Sequence, residues 1–411
     1  MSENYSHVFK KNSKEYAEYA ESFVKECNEN GKKTVLMVCD TYYPSFDGVV
    51  NVMNSYAESL AKQDYNVVAL VPDYRGKVYV KSYPVLAVGS VFSKALNYQI
   101  PAPSFDGQAK NLLKKLRIDL IHVHSPFFIG MLAKKIHIKR NVPMISTFHS
   151  QYRKDFEKNV NSKLIVNSLL KRIMKVFNAS DEVWTMTNSS AAVLKEYGYK
   201  GKVRLVPNGT TFPRAENYEE ERSLAREKYS VPENEPLLLF VGRLVEQKNI
   251  LFAADVLGEL KKRGAKFKMI FAGDGPDRKK LEERIEKNGV KEDCTLLGQV
   301  SDKTELMNLY SAADLFLFPS VYDVSSIVQL EAASHKLAGA FIKGSVTAAT
   351  VTDGENGFTF DAENYADGVY KLITAPEKLA EAGEKAYREL YVSWDDVTKK
   401  VGEYYKEFFK N

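Results

Sequence analysis

The sequence predicts an α/β protein built from two doubly wound parallel-sheet domains. Three observations carry that expectation. Short apolar runs, nearly continuous rather than alternating, recur along the chain and read as strands buried on both faces. Segments of helical periodicity separate most of them, as crossover connections between parallel strands require. At 411 residues the chain is also too long for one ordinary core.

In the first half the strand candidates are 33–39 (KTVLMVC), 66–72 (NVVALVP), 118–124 (IDLIHVH), 142–148 (VPMISTF), 182–187 (EVWTMT) and 202–207 (KVRLVP). Helical patterns at 50–62 and 128–138 fall between them. The second half repeats the scheme with strands at 237–241, 267–273, 294–298, 315–319 and 338–344. Helices at 250–263, 278–287, 303–312 and 325–335 separate those. Residues 213–236 are charged and bounded by prolines, and read as an inter-domain connection with a surface helix inside it. The expected domains are therefore 1–212 and 213–393. Ser393 is a fitting N-cap for a closing amphipathic helix over 394–411.

Two further helices have distinctive faces. Over 14–28, Tyr16, Tyr19, Phe23, Val24 and Cys27 fall on one stripe, expected to pack on its own domain. A second helix combines Lys163, Lys171, Arg172 and Lys175 with apolar Ile165, Leu169, Leu170 and Ile173, and reads as a core helix with a solvated basic face.

Composition narrows the function classes. No apolar stretch approaches the ~18–20 residues a membrane span needs. The first residues, MSENYSHVFKKNSKEY, lack the apolar core of a signal peptide. Cys27, Cys39 and Cys294 show neither disulfide nor metal-ligand spacing, which fits a cytoplasmic location. The net charge of +5 conceals an asymmetry: residues 1–210 hold 30 Lys and Arg against 18 Asp and Glu, a balance of +12, and the remainder is −7. The first half is thus suited to an anionic partner. Nucleic acid is disfavoured by the absence of any reading motif. AGDGPD (272–277) is not the dinucleotide fingerprint, and the sequence has no P-loop.

The chemistry-bearing residues lie where strands end, the place where open α/β sheets bind ligands. Strand 237–241 stops at Gly242 and presents Arg243, then Lys248 at the start of the next helix. Two cations with outward-facing backbone N–H groups form a site for a phosphate or diphosphate. Asp323 and Glu331 flank and enter the helix after strand 315–319. Carboxylates there suit hydroxyl groups, because they accept hydrogen bonds and have none to donate. His122 and His124 share one side of strand 118–124, and no third residue stands at zinc spacing. Gly48, after the first strand, would let backbone approach a ligand closely.

Taken together, YYPSFDGVVN, HVHSP, LVPNGTTF, FVGRLVEQKN, FAGDGPDRKKLEE and LGQVSDKTELMNLYSAADLFLFPS resemble the retaining glycosyltransferases of family 4, with the GT-B fold. The resemblance covers nearly the whole chain. It implies two Rossmann-like domains facing across a cleft, with the closing helix returning to the first. It implies that Arg243 and Lys248 grip the diphosphate of a nucleotide-sugar, a UDP-sugar for preference, and that no metal is needed. Glu331 would hold the ribose, Asp323 the transferred sugar, and His124 would approach that sugar near its reacting face. Gly48, Ile327 and Val328 complete the implied donor site, and LLGQV (296–300) would read the base through backbone. The family pattern is E-x7-E, from which Asp323 departs by one methylene.

The stretch STFHSQYRKDF (146–156) resembles the matching segment of bacterial diacylglycerol glucosyltransferases and puts His149 and Tyr152 on the acceptor side. The expected activity is transfer of a hexose to a membrane lipid or cell-envelope acceptor, with peripheral contact at the inner face of an anionic cell membrane. The alternatives are a soluble protein or polysaccharide acceptor, or a non-catalytic nucleotide-sugar-binding subunit.

Overall fold

In a computed structural model, residues 5–44, 48–93, 98–321 and 327–409 are described. The chain divides into two compact units, one formed by Ser2–Asn208 with Trp394–Asn411 and the other by Gly209–Ser393.

The first unit opens with β1 (His7–Lys10), α1 (Lys14–Glu29), β2 (Lys33–Val38), α2 (Gly48–Ala61), β3 (Tyr65–Pro72), β4 (Lys77–Val80) and β5 (Val85–Val88). A hairpin of β6 (Ser90–Ser93) and β7 (Tyr98–Pro101) leads to α3 (Gly107–Lys115), β8 (Leu120–Val123), α4 (Phe128–Arg140) and β9 (Met144–Thr147). Then come α5 (Tyr152–Asn159), α6 (Lys163–Phe177), β10 (Glu182–Thr185), α7 (Asn188–Glu196) and β11 (Val203–Leu205). Seven of these strands form a parallel sheet in the order β11-β10-β9-β8-β2-β3-β5.

The second unit follows with α8 (Tyr218–Lys228), β12 (Leu237–Val241), α9 (Ile250–Lys262), β13 (Lys268–Ala272), α10 (Arg278–Lys287), β14 (Cys294–Gly298) and α11 (Lys303–Ala312). It continues with β15 (Leu315–Leu317), α12 (Ile327–Ser334), β16 (Gly339–Ile342), β17 (Phe358–Phe360), α13 (Tyr365–Ile373) and α14 (Pro376–Glu389). Its six-stranded parallel sheet runs β14-β13-β12-β15-β16-β17. Numbered from β12, that is the 3-2-1-4-5-6 order of dinucleotide-binding sheets.

The apolar runs form strands because both sheet faces are covered. All five residues of β12 and all four of β8 are buried. The last helix, α15 (Trp394–Lys406), belongs to the first unit, where it packs on α2. It buries Trp394, Val397, Val401 and Tyr405, and the Tyr405 hydroxyl lies 2.6 Å from His122 Nδ1. The stripe on α1 packs inward as expected, with Tyr16, Phe23, Val24 and Cys27 buried.

Three expectations are corrected. Residues 213–236 do not form a free connection. Within them, α8 packs on α11, and the buried Arg226 donates to the carbonyls of Ala312 (3.0 Å) and Glu235 (2.7 Å) and pairs with Asp314 (3.2 Å). Asp314 in turn accepts the Leu237 N–H at 2.7 Å, so these charges hold the start of β12 in place. Phe212 lies in the core of the second unit, so the join falls before the expected boundary at residue 212. Strands β1, β4 to β7 and β17 have no counterpart among the strands expected from sequence.

Candidate active site

In the second sheet, connections leave β12 toward β13 on one side and β15 toward β16 on the other. The gap between β12 and β15 is therefore the switch point where ligands bind such sheets. Gly242 ends β12 with φ +148, a conformation other residues rarely adopt. Lys248 folds back over it: its Cε and Nζ lie 3.4 Å from where a Gly242 Cβ would stand. The same Nζ sits 5.0 Å from the ring centre of Phe318, just past β15. One ammonium thus spans the switch point. Arg243 is exposed, and no carboxylate pairs with it among the described residues.

Lys248 does not begin the helix, as expected, but closes a 3-10 turn over Glu246–Lys248. Asn249, left-handed at φ +59, then redirects the chain into α9. That turn is what aims Lys248 back at the strand end.

The glycines of AGDGPD serve the same loop. A Cβ on Gly273 would stand 1.9 Å from the Gly242 carbonyl oxygen, and one on Gly275 would stand 2.3 Å from that of Leu244. Two strand-end loops cross in backbone contact there. Hydrogen bonds Gly242 N–Ala272 O (3.0 Å) and Leu244 N–Asp274 O (2.9 Å) fasten them. The crossing holds the loop that carries Arg243.

Glu331 lies on α12, half-buried, and accepts a 2.8 Å hydrogen bond from the Tyr310 hydroxyl on its Oε2. Burial pushes its carboxyl up to about 7, against the opposing pull of Tyr310 and the Lys303 ammonium. Oε1 has no hydrogen bond among the described residues. Ile327 and Val328 open α12, where backbone N–H groups lack intrahelical partners. Asp323 lies outside the described residues. Tyr310 and Lys303 were missed in the sequence, since nothing local links them to a residue 21 or more positions away.

The first unit carries its own switch point, between β2 and β8. His124 follows β8 there, fully buried, with its N–H donating to the Val38 carbonyl at 2.7 Å. Its Nδ1 lies 3.1 Å from His149 Nε2, whereas its own Nε2 is buried with no hydrogen-bond partner among the described residues. Burial holds His124 well below the usual histidine range, with the two neighbouring imidazoles adding to the effect. Burial likewise lowers His149 to about 3. Both rings are neutral, so His124 can exchange a hydrogen bond with a sugar hydroxyl but brings no charge. His122, by contrast, is a satisfied core residue, held by Tyr405 (2.6 Å) and Thr147 (2.7 Å).

The two acceptor-side candidates separate. His149 touches His124 directly, joined across adjacent strands β8 and β9. The Tyr152 ring turns inward, among Phe148, Phe156 and Phe177, and supports the start of α5. Gly48 opens α2, and a Cβ added there would meet nothing within 4 Å among the described residues.

Residues 46–211 match the model for Glycosyltransferase Family 4, and residues 221–389 match that for Glycosyl transferases group 1. An alpha-monoglucosyldiacylglycerol synthase of Streptococcus pneumoniae is 25% identical over 71% of this chain and 67% of its own. The enzyme of that name from Acholeplasma laidlawii is 24% identical over 86% of this chain and 93% of its own. Sucrose-phosphate synthase from Thermosynechococcus elongatus superimposes with a TM-score of 0.72 at 18% identity, over 92% of this chain and 99% of its own. HepE from Anabaena, solved with UDP and glucose, gives 0.70 at 15% over 90% and 99%. These structures share the fold. No helix among the described residues is long and apolar enough to cross a membrane. With the Glycosyltransferase Family 4 model on the first unit and the Glycosyl transferases group 1 model on the second, the chain belongs to the family 4 glycosyltransferases and is a hexosyltransferase.

Proposed function

We propose that this enzyme moves a hexose from a nucleoside-diphosphate sugar, with UDP as the carrier, to a diacylglycerol-type lipid at the inner face of the membrane, with retention of anomeric configuration. The observation that carries the donor reading is the Lys248 ammonium folded over Gly242 at the β12–β15 switch point, with the exposed Arg243 on the same loop. As the bond from sugar to phosphate breaks, negative charge develops on the departing diphosphate. Pre-placed cations stabilise it without reorganising. In this reading they do so without a metal. Glu331 Oε1 accepts from a ribose hydroxyl, while the first turn of α12 offers backbone N–H groups to phosphate oxygens. In the first unit His124 Nε2, which has no hydrogen bond among the described residues, is offered to a sugar hydroxyl, and Asp323 supplies a carboxylate to the transferred sugar. The acceptor hydroxyl attacks from the leaving-group face and gives its proton to the departing phosphate oxygen, which accounts for retention.

The lipid acceptor is supported by the names of the two diacylglycerol-glycosylating relatives and by the basic first half of the chain. The test is transfer of labelled hexose from UDP-sugars to dispersed diacylglycerol, with Arg243→Ala and Lys248→Ala as the variants. Each loses a hydrogen bond to a charged group worth about 1.5–3 kcal/mol, so turnover falls roughly 10- to 150-fold with the melting temperature unchanged. Full activity in both variants refutes the diphosphate role. Transfer to soluble glycans but not to lipid refutes the acceptor.

A further inference from the structure

Helix α6 was expected to be a core helix with a solvated basic face, and only part of that holds. Val166, Leu170, Ile173, Met174 and Phe177 are buried as a core stripe requires. Ile165, however, points outward and is 53% exposed, and Leu164 beside it is 83% exposed. Lys171, Arg172 and Lys175 continue the same outer face along the next turns, and Lys163 adjoins it. Ion pairs are common elsewhere on this protein, yet no carboxylate pairs with any of these four cations among the described residues. The Arg172 guanidinium instead lies 5.3 Å over the ring of Phe128, itself a partly exposed aromatic at the start of α4.

The direction of α6 gives this face a meaning. The helix leads into Glu182, the first residue of β10, so its far end with Leu164 and Ile165 lies roughly 20 Å away, toward the carboxyl ends of the strands. Val166, next to Ile165, belongs to the same buried cluster as Phe148 and Tyr152, which flank His149 in the sequence. The protruding apolar turn therefore lies at the ligand-binding end of the first sheet.

We propose that the outer face of α6 is a membrane-docking surface for an anionic bilayer: Leu164 and Ile165 enter the acyl boundary, and Lys171, Arg172 and Lys175 lie on the headgroups. The proposal rests on the lipid-acceptor reading and deepens it, since docking there would present a diacylglycerol hydroxyl from the bilayer to the end of the sheet that carries His124 and His149. An exposed apolar turn alone would suit many partners. Unpaired cations flanking it match a surface that is apolar within and anionic at its rim.

The full-length protein is tested by flotation with phosphatidylcholine vesicles with and without phosphatidylglycerol. Wild type should bind the anionic vesicles only. Leu164→Ser/Ile165→Ser and Lys171→Glu/Lys175→Glu should each weaken binding at least about tenfold. They should leave transfer to a short-chain, water-soluble diacylglycerol unchanged, which also shows that they fold. Lys399→Glu/Lys400→Glu, an equal charge change on exposed residues of α15, should bind as wild type does. If that control loses binding as fully as the α6 variants, or if the α6 variants bind normally, the face is misassigned while the lipid acceptor stands. Failure of the wild type to bind anionic vesicles overturns the docking surface. Absence of transfer even to the soluble diacylglycerol overturns the acceptor reading beneath it.

Discussion

Glu331 offers the sharpest test of the donor site, because its carboxyl is held at about 7 rather than at the usual 4.5. A ribose hydroxyl donates a hydrogen bond, so the form that binds it well is the carboxylate. With a midpoint at about 7, roughly one molecule in eleven is ionised at pH 6 and ten in eleven at pH 8. Affinity for the donor should therefore rise about tenfold across that interval, and binding at pH 7 should release about half a proton. Nucleotide-sugar is the ligand to use, since its diphosphate diester does not itself titrate in this range. Calorimetry in two buffers of different ionisation enthalpy reads the affinity and the proton release together. Glu331→Gln should bind weakly at every pH and release nothing. Unliganded stability follows the linkage sign: the folded state holds the proton more tightly than the unfolded chain. Stability from this group is thus greatest below about 4.5 and is lost as pH rises through about 7, by at most about 3 kcal/mol. A pH-independent affinity in the wild type, or the same pH dependence in Glu331→Gln, would refute the assignment.

Two further outcomes follow from the site. His149→Leu should remove the 3.1 Å contact that orients His124 and lower kcat more than the donor affinity, whereas His149→Gln, whose side-chain amide can replace the ring nitrogen, should restore most of the loss; equal damage from both variants would make His149 a packing residue only. Gly273→Ala should drive a methyl group into the Gly242 carbonyl and displace the Arg243 loop, at a cost of about 1–3 kcal/mol measured by denaturant unfolding, together with weaker nucleotide-sugar binding; wild-type values for both would show that the loop crossing is not what positions the cations.

Much of the fold was legible because it is written in local periodicity. The elements at 237–241, 278–287, 294–298 and 303–312 stand where the apolar runs and helical spacing put them. Parallel sheets need apolar strands and crossover helices, and both leave marks within a dozen residues. The placement of Arg243 just past a strand end was legible for the same reason. Short strands such as β17 escaped, as did the integration of α8, whose charged residues look solvated until Asp314 and the α11 carbonyls close on them.

The sequence by itself determined the two doubly wound units, the strand ends at which chemistry could occur, and the residue types available there. Only the tertiary structure decided which of those residues meet: Tyr310 with Glu331, His124 with His149, Lys248 with Gly242 and Phe318. The reason is physical. A strand or helix is specified by neighbours a few residues apart, whereas a buried hydrogen bond or a raised carboxyl depends on which distant segments share one low-dielectric space, and that is settled by packing.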